Sequence, residues 1–181
     1  MPTPNPLAIV TFRGRRMDRK TATALAIAEQ RLGYELTVTQ GCYNTGGVSA
    51  SAGTHDRGGV VDLAPYDHVH KVKVLRDLGF AAWYRPAIAG LWPAHIHAVM
   101  IGHQDLAPSA ARQVPAYLAG RDGLTGNRLD ANAYRPDVEP FDFAAAWRDG
   151  LLRQRIKGIK ARRKTLADKA SRLKSQITYR R

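Results

Sequence analysis

Cysteine is nearly absent from this chain: Cys42 is its one thiol in 181 residues. A single cysteine excludes an internal disulfide and any metal knuckle built from several thiolates. Long apolar runs are missing as well. No stretch approaches the roughly 18–20 residues needed to span a bilayer, so no membrane span is expected. The opening Met-Pro-Thr-Pro-Asn-Pro has no basic region followed by an apolar stretch, and no secretory signal is expected. Acids are scarce, 15 against 28 Lys and Arg, for a net charge of +13. That excess is local. Residues 148–181 hold 13 Lys or Arg against Asp149 and Asp168, leaving 15 basic and 13 acidic residues for the rest. The basicity is therefore a property of the tail. With 44% hydrophobic residues, the length fits one domain and an appendage.

The pattern predicts a mixture of helices and strands. Residues 1–17 read as an extended N-terminal arm or edge strand, with a β-like run from Leu7 to Phe12 and a basic cluster at Arg13, Arg15 and Arg16. A helix capped by Asp18 and stopped by Gly33 carries Leu25, Ala28 and Leu32 toward a core. Alternation predicts a strand over 35–40, leading into the glycine-rich loop 41–47. That loop lacks a following Lys-Ser/Thr, so a nucleotide site is not indicated. Cys42 reads as a small packed residue rather than a nucleophile.

A second helix is expected over 67–79, with an apolar stripe of Val69, Val72, Leu75 and Leu78, and a strand over 80–85. A third helix is expected over 108–119. Residues 120–147, rich in Gly, Asn, Asp and Pro, read as a loop that wraps the domain or links it to the tail.

Chemistry concentrates in two segments. His55 lies seven residues before Asp62, with Gly58 and Gly59 between them, and Trp92-Pro-Ala-His-Ile-His97 follows downstream. In a strand His95 and His97 share one face while Ile96 points the other way. A hydrolytic Zn²⁺ site wants three imidazole or carboxylate ligands and an open position. His55, Asp62 and His97 could supply the three, leaving His95 to handle protons. The rival pair His68 and His70 falls on the expected second helix, where residues i and i+2 diverge, and reads as exposed. Trp83 and Trp92 read as core or cleft wall. Arg85 is open between pairing with a substrate carboxylate and forming an ordinary salt bridge.

The pattern His55-x-x-Gly58-x-Val60-x-Asp62, followed by His95-x-His97, resembles the D-Ala-D-Ala carboxypeptidase family of zinc peptidases, whose superfamily includes lysostaphin-type and hedgehog-type domains. The resemblance covers roughly residues 20–105. It implies an α+β fold, a small antiparallel sheet with flanking helices holding the zinc site, within a peptidase domain at 18–119. It implies hydrolysis of peptide bonds in bacterial peptidoglycan next to D-amino acids, with His95 as the catalytic acid/base. By the same analogy Gln40, Tyr43 and Asn44 are expected to contact substrate. Many members carry an acid three positions before the last zinc-binding histidine, where this chain has Ala94. Were His95 dispensable, a carboxylate such as Asp137 or Glu139 would be needed.

The tail, 148–181, repeats Leu152, Ile159, Leu166 and Leu173 every seven residues, with Ile156, Arg163, Ala170 and Ile177 between them. This reads as coiled-coil heptads on a basic C-terminal helix, or as an amphipathic helix packed on the domain. Its cations could meet anionic wall polymers, lipid headgroups or nucleic acid, without a motif for sequence-specific nucleic-acid recognition.

The chain also looks like phage-encoded forms, made in the host cytoplasm and acting at the cell wall as a released lysin or a virion component. Assembly through the tail, as a homo-oligomer or with phage tail proteins, is expected. A structural virion protein that keeps a zinc site without catalysis is the alternative.

Overall fold

A computed structural model describes residues 2–137 and 139–179, with side chains to Arg172. It is α+β. Residues 4–143 make one compact unit, and the chain from 144 onward belongs to a second.

The first unit opens with a hairpin of β1 (Ile9–Phe12), within the expected β-like run, and β2 (Arg15–Asp18). Its turn is Arg13–Gly14, both at positive φ, the two-residue geometry that matches strand twist. Helix α1 (Arg19–Leu32) follows. The Asp18 side chain accepts from the Thr21 N–H, and Gly33 ends the helix at φ 81°. The Leu25 and Ala28 side chains are fully buried.

Four strands build the main sheet: β3 (Val38–Gln40), β4 (Val60–Leu63), β5 (Phe80–Arg85) and β6 (His95–Met100), in the order β3-β4-β6-β5 and antiparallel throughout. The first is shorter than its alternation predicts. The Leu36 N–H donates to the Glu29 carboxylate at 2.8 Å, and the Glu35 carbonyl accepts from the Tyr66 hydroxyl at 3.0 Å. Side chains satisfy that backbone, so the ladder does not extend through it.

Strand alternation divides the core. Val61, Leu63, Phe80, Ala82, Ile96, Ala98 and Met100 pack with α1 and with α2 (His68–Asp77). Val60, Ala81, Trp83 and Val99 face the other way, under α3 (Pro108–Ala111) and α4 (Gln113–Leu118). The single helix expected over 108–119 is thus two. Pro115 has no N–H to offer the Ala111 carbonyl, so the turn between them breaks at Arg112.

Of the stripe expected on α2, Val72, Leu75 and Leu78 are buried, whereas Val69 is 68% exposed. Two cations take the buried face with Val72, Val74 and Leu75. The Lys71 ammonium sits 3.0 Å from the centre of the Tyr66 ring and donates to the Ala64 carbonyl at 2.8 Å. Arg76, fully buried, donates to the carbonyls of Ala82, Asn132 and Tyr134 and pairs with Asp130 at 2.6 Å. Asp130 also accepts from Arg135 at 2.8 Å. Residues 130–134 are tied to α2 by this guanidinium and by the Tyr134 hydroxyl, which bonds Asp77 and Lys73.

Breaking a buried ion pair by removing one partner typically destabilises by about 3–5 kcal/mol. At about 2–4 °C per kcal/mol for a domain near this size, Arg76→Met is expected to lower the melting midpoint by on the order of 10 °C. Calorimetry checks this, and a shift within about 2 °C would mean that the loop is held by other contacts.

The C-terminal helix α5 runs from Phe143 to Tyr179, beginning before the basic stretch. Leu152, Ile156, Ile159 and Leu166 are exposed along it. The side chains of Leu173 and Ile177 lie outside those described. No helix among the described residues is long and apolar enough to cross a membrane.

Candidate metal centre

The register of the sheet assembles the site. Asp62 on β4 is the cross-strand partner of His97 on β6, and Trp83 on β5 flanks His97 on its other side. His55 arrives from the loop between β3 and β4, after a single 3-10 turn at Ser49–Ser51. The loop's glycines serve close approach. A Cβ at Gly58 would stand 2.6 Å from His103 Cε1 and 2.9 Å from Asp18 Oδ2. The Gly59 N–H donates to Asp18 Oδ2 at 3.0 Å. Asp18 and His103, a buried pair at 3.2 Å, thereby clamp the segment that carries His55. Burial acts to raise the Asp18 carboxyl, but the hydrogen bonds from His103 and Thr21 outweigh it and hold the group below its usual range.

His55, Asp62 and His97 are all buried, and one ligand atom from each falls within 4.8 Å of the others. Their hydrogen bonds define the chemistry. His55 Nδ1 lies 2.9 Å from the Gly41 carbonyl, which only accepts, so Nδ1 carries the proton. The opposite nitrogen, Nε2, faces Asp62 Oδ2 at 3.3 Å. His97 Nε2 lies 2.8 Å from Gln113 Oε1, an acceptor, so Nε2 donates there. Its Nδ1 faces Asp62 Oδ1 at 2.8 Å.

Burial, aided by His55 and Arg85 and opposed by Asp62, pushes His97 below the ordinary imidazole value and favours the neutral ring. Burial also acts to raise the Asp62 carboxyl, yet the two histidines hold it well below the ordinary range. The two ring nitrogens that face Asp62 and the carboxylate itself are the three atoms that converge. A cation between them satisfies all three groups, and the residues are close enough to bind a metal ion.

The centre opens on a cleft of about 1740 Å³. His95, Gln40, Tyr43, Asn44 and Arg85 all line it, so every site residue expected from the sequence reaches one cavity. His95 is half-buried, and its Nδ1 lies 2.8 Å from the Pro93 carbonyl, leaving Nε2 as an acceptor. The Tyr43 hydroxyl donates to Asp105 Oδ2 at 3.1 Å. Asn44 is tied to the loop through its backbone, its N–H donating to the His55 carbonyl at 2.9 Å. Trp92 also lines the cleft, whereas Trp83 is buried and stacks beside His97 with ring centres 6.3 Å apart.

His68 and His70 sit on α2, away from this group: His68 stacks on Tyr84 at 4.0 Å and His70 faces Asp67 at 3.4 Å. Cys42 is buried and lies 3.1 Å from the Val60 carbonyl; burial pushes its thiol up to about 12, the environment of a packed residue. Gln113 and the Gly41 carbonyl, which set the proton positions of the two histidines, have no signature in the sequence. Comparison with protein-family models, with curated proteins and with solved structures finds no match for this chain.

Proposed function

We propose that the chain is a zinc-dependent peptidase that hydrolyses peptide bonds of bacterial peptidoglycan next to D-amino acids, as the D-Ala-D-Ala carboxypeptidase-like peptidases do. The observation that carries this reading is the convergence of His55 Nε2, Asp62 and His97 Nδ1 as three ligand atoms, with His95 on the same strand face. Two imidazoles and one carboxylate are a donor set suited to catalytic zinc. When bound, zinc supplies Lewis acidity and makes water a usable nucleophile at neutral pH.

The chain's own groups do the rest. His55 and His97 are held in fixed tautomers by Gly41 and Gln113, and Asp62 balances the charge. His95 Nε2 accepts a proton from the attacking water and returns it to the leaving amine as the C–N bond breaks and the water oxygen stays on the acyl carbon. Gln40, Tyr43 and Asn44 form the cleft wall on which the peptide lies. Neither Asp137 nor Glu139 is among the residues lining the cleft, which favours His95 as the acid/base in a chain with Ala94.

The outer-shell role of Gln113 has a measurable consequence. In Gln113→Leu, zinc affinity is expected to fall about 10–100-fold, and Gln113→Glu, which keeps an acceptor, to restore it. Competition with a chromophoric chelator reads both. Equal affinity in the leucine variant would remove Gln113 from the site.

A phage-encoded origin, as a lysin or a tail-associated wall hydrolase, fits a wall substrate. The heptads of α5 have Arg153, Arg155, Lys160, Arg162 and Lys169 flanking the seam. Two copies side by side would oppose like charges, so tail assembly through this helix suits an acidic partner better than a second copy.

The test is muropeptide release from purified peptidoglycan, with zinc content measured on the same protein and a chelated control. Release that stops on chelation and returns with zinc supports the reading. A zinc-loaded protein that releases nothing from several wall types would make it the structural virion protein of the alternative.

A further inference from the structure

Helix α5 carries two features that the chemistry at the metal centre does not use. Every residue of 152–172 is exposed, and the segment holds nine Lys or Arg against one acid, Asp168. Its four large apolar side chains share that exposure: Leu152 at 54%, Ile156 at 51%, Ile159 at 65% and Leu166 at 67%.

The charges and the apolar groups are sorted by face. A helix turns about 100° per residue, which places the four apolar residues within an arc of about 80°. Arg153 and Lys160 border that arc on one side, and Arg155, Arg162 and Lys169 border it on the other. Asp168 falls about 160° from Leu152, on the far face. Arg163 alone among the cations stands inside the arc.

Three kinds of partner would treat this arrangement differently. A second copy would bring the flanking cations together and set Arg163 against its equal in the seam. A nucleic acid or another soluble polyanion would neutralise the cations but leave the apolar arc in water. An anionic bilayer takes both features. Its hydrocarbon boundary accepts the arc, and its headgroups attract the flanks. The long stems of Lys and Arg, Arg163 included, can lie in the apolar layer while their charges stay among the headgroups.

We propose that residues 152–172 lie along the surface of a bilayer containing anionic phospholipid, with the apolar arc facing inward. The helix rests on that surface and does not cross it, since no helix among the described residues is long and apolar enough to do so. This docking needs neither zinc nor turnover, so it stands apart from the peptidase reading.

The experiment is sedimentation of the full chain with vesicles of phosphatidylcholine alone, or of phosphatidylcholine with phosphatidylglycerol. Wild type is expected to bind the second kind and not the first, and to bind more weakly as salt is raised. Removing two flanking cations, Arg155→Gln with Arg162→Gln, should weaken partitioning about 30-fold, the scale of two basic residues at an anionic surface. Removing two seam residues, Ile156→Gln with Ile159→Gln, should weaken it on the order of 100-fold through lost apolar burial. Glutamine is a good helix former, and circular dichroism should show the helix retained in both variants.

Binding by wild type that both pairs of substitutions weaken supports the proposal. No binding to the anionic vesicles overturns it. Weakening by the arginine pair with none by the isoleucine pair would mean adsorption to any polyanion, which overturns the lipid assignment. A dimer seen by sedimentation velocity without vesicles, and dissolved by the isoleucine substitutions, would overturn it too, because the seam then belongs to a second copy.

Discussion

His97→Ala is expected to lose its zinc and its hydrolytic activity together. His97 contributes the one nitrogen of β6 that faces Asp62, at 2.8 Å, and its other nitrogen is held by Gln113. Without it the centre retains His55 and Asp62, one imidazole and one carboxylate, which is fewer than the three protein ligands usual for a catalytic zinc. Losing an outer-shell partner alone typically weakens metal affinity about 10–100-fold. Losing the ligand itself should exceed that, so zinc content after dialysis is expected to fall from near stoichiometric to near zero. Turnover should fall by at least on the order of 100-fold with it. Elemental analysis and muropeptide release on the same preparation check both. The fold should survive, because Ile96 and Ala98, the neighbours of His97, face the opposite core. A His97→Ala protein that keeps stoichiometric zinc would show that the metal sits elsewhere.

What the sequence made legible follows from which interactions are local. A strand repeats every two residues, so His95-Ile-His97 alone sets two imidazoles on one face and Ile96 in the core. Helix ends are local too, and Asp18 and Gly33 bound α1 where capping chemistry places them. The meeting of His55 with Asp62 depends on loop closure, which the paired glycines signalled. Their tight contacts with His103 and Asp18 involve residues some forty positions distant and carried no pattern.

The differences have the same cause. Val69 fits an apolar stripe by spacing, but only Val72, Leu75 and Leu78 of it are buried, and the buried face widens to Lys71, which finds aromatic rings, and Arg76, which finds carbonyls from segment 130–134. Residues 35 and 36 alternate as a strand should, yet Glu29 and Tyr66 claim their backbone first. Gln113 is an unremarked residue in its own segment. It acquires a role only where the start of α4 brings it to His97.

His95→Ala should separate catalysis from metal binding. Its Nδ1 is committed to the Pro93 carbonyl, and its free Nε2 is the acceptor that a general base requires. It is not one of the three residues whose ligand atoms converge. The variant should therefore keep its zinc while kcat drops by about 10²–10⁴-fold, the usual contribution of a positioned acid/base. His95→Gln, which keeps a hydrogen-bond donor but has no base, should be impaired to a similar degree. Exogenous imidazole should restore part of the rate to His95→Ala and none to His97→Ala, since only the former retains the metal centre. If His95→Ala turned over within about threefold of wild type, well short of a positioned base's contribution, the proton would have to go elsewhere. Asp137 and Glu139 are the carboxylates the sequence offers for that, and neither lines the cleft. Asp122 does line it, so that result would move the base to Asp122 and away from β6.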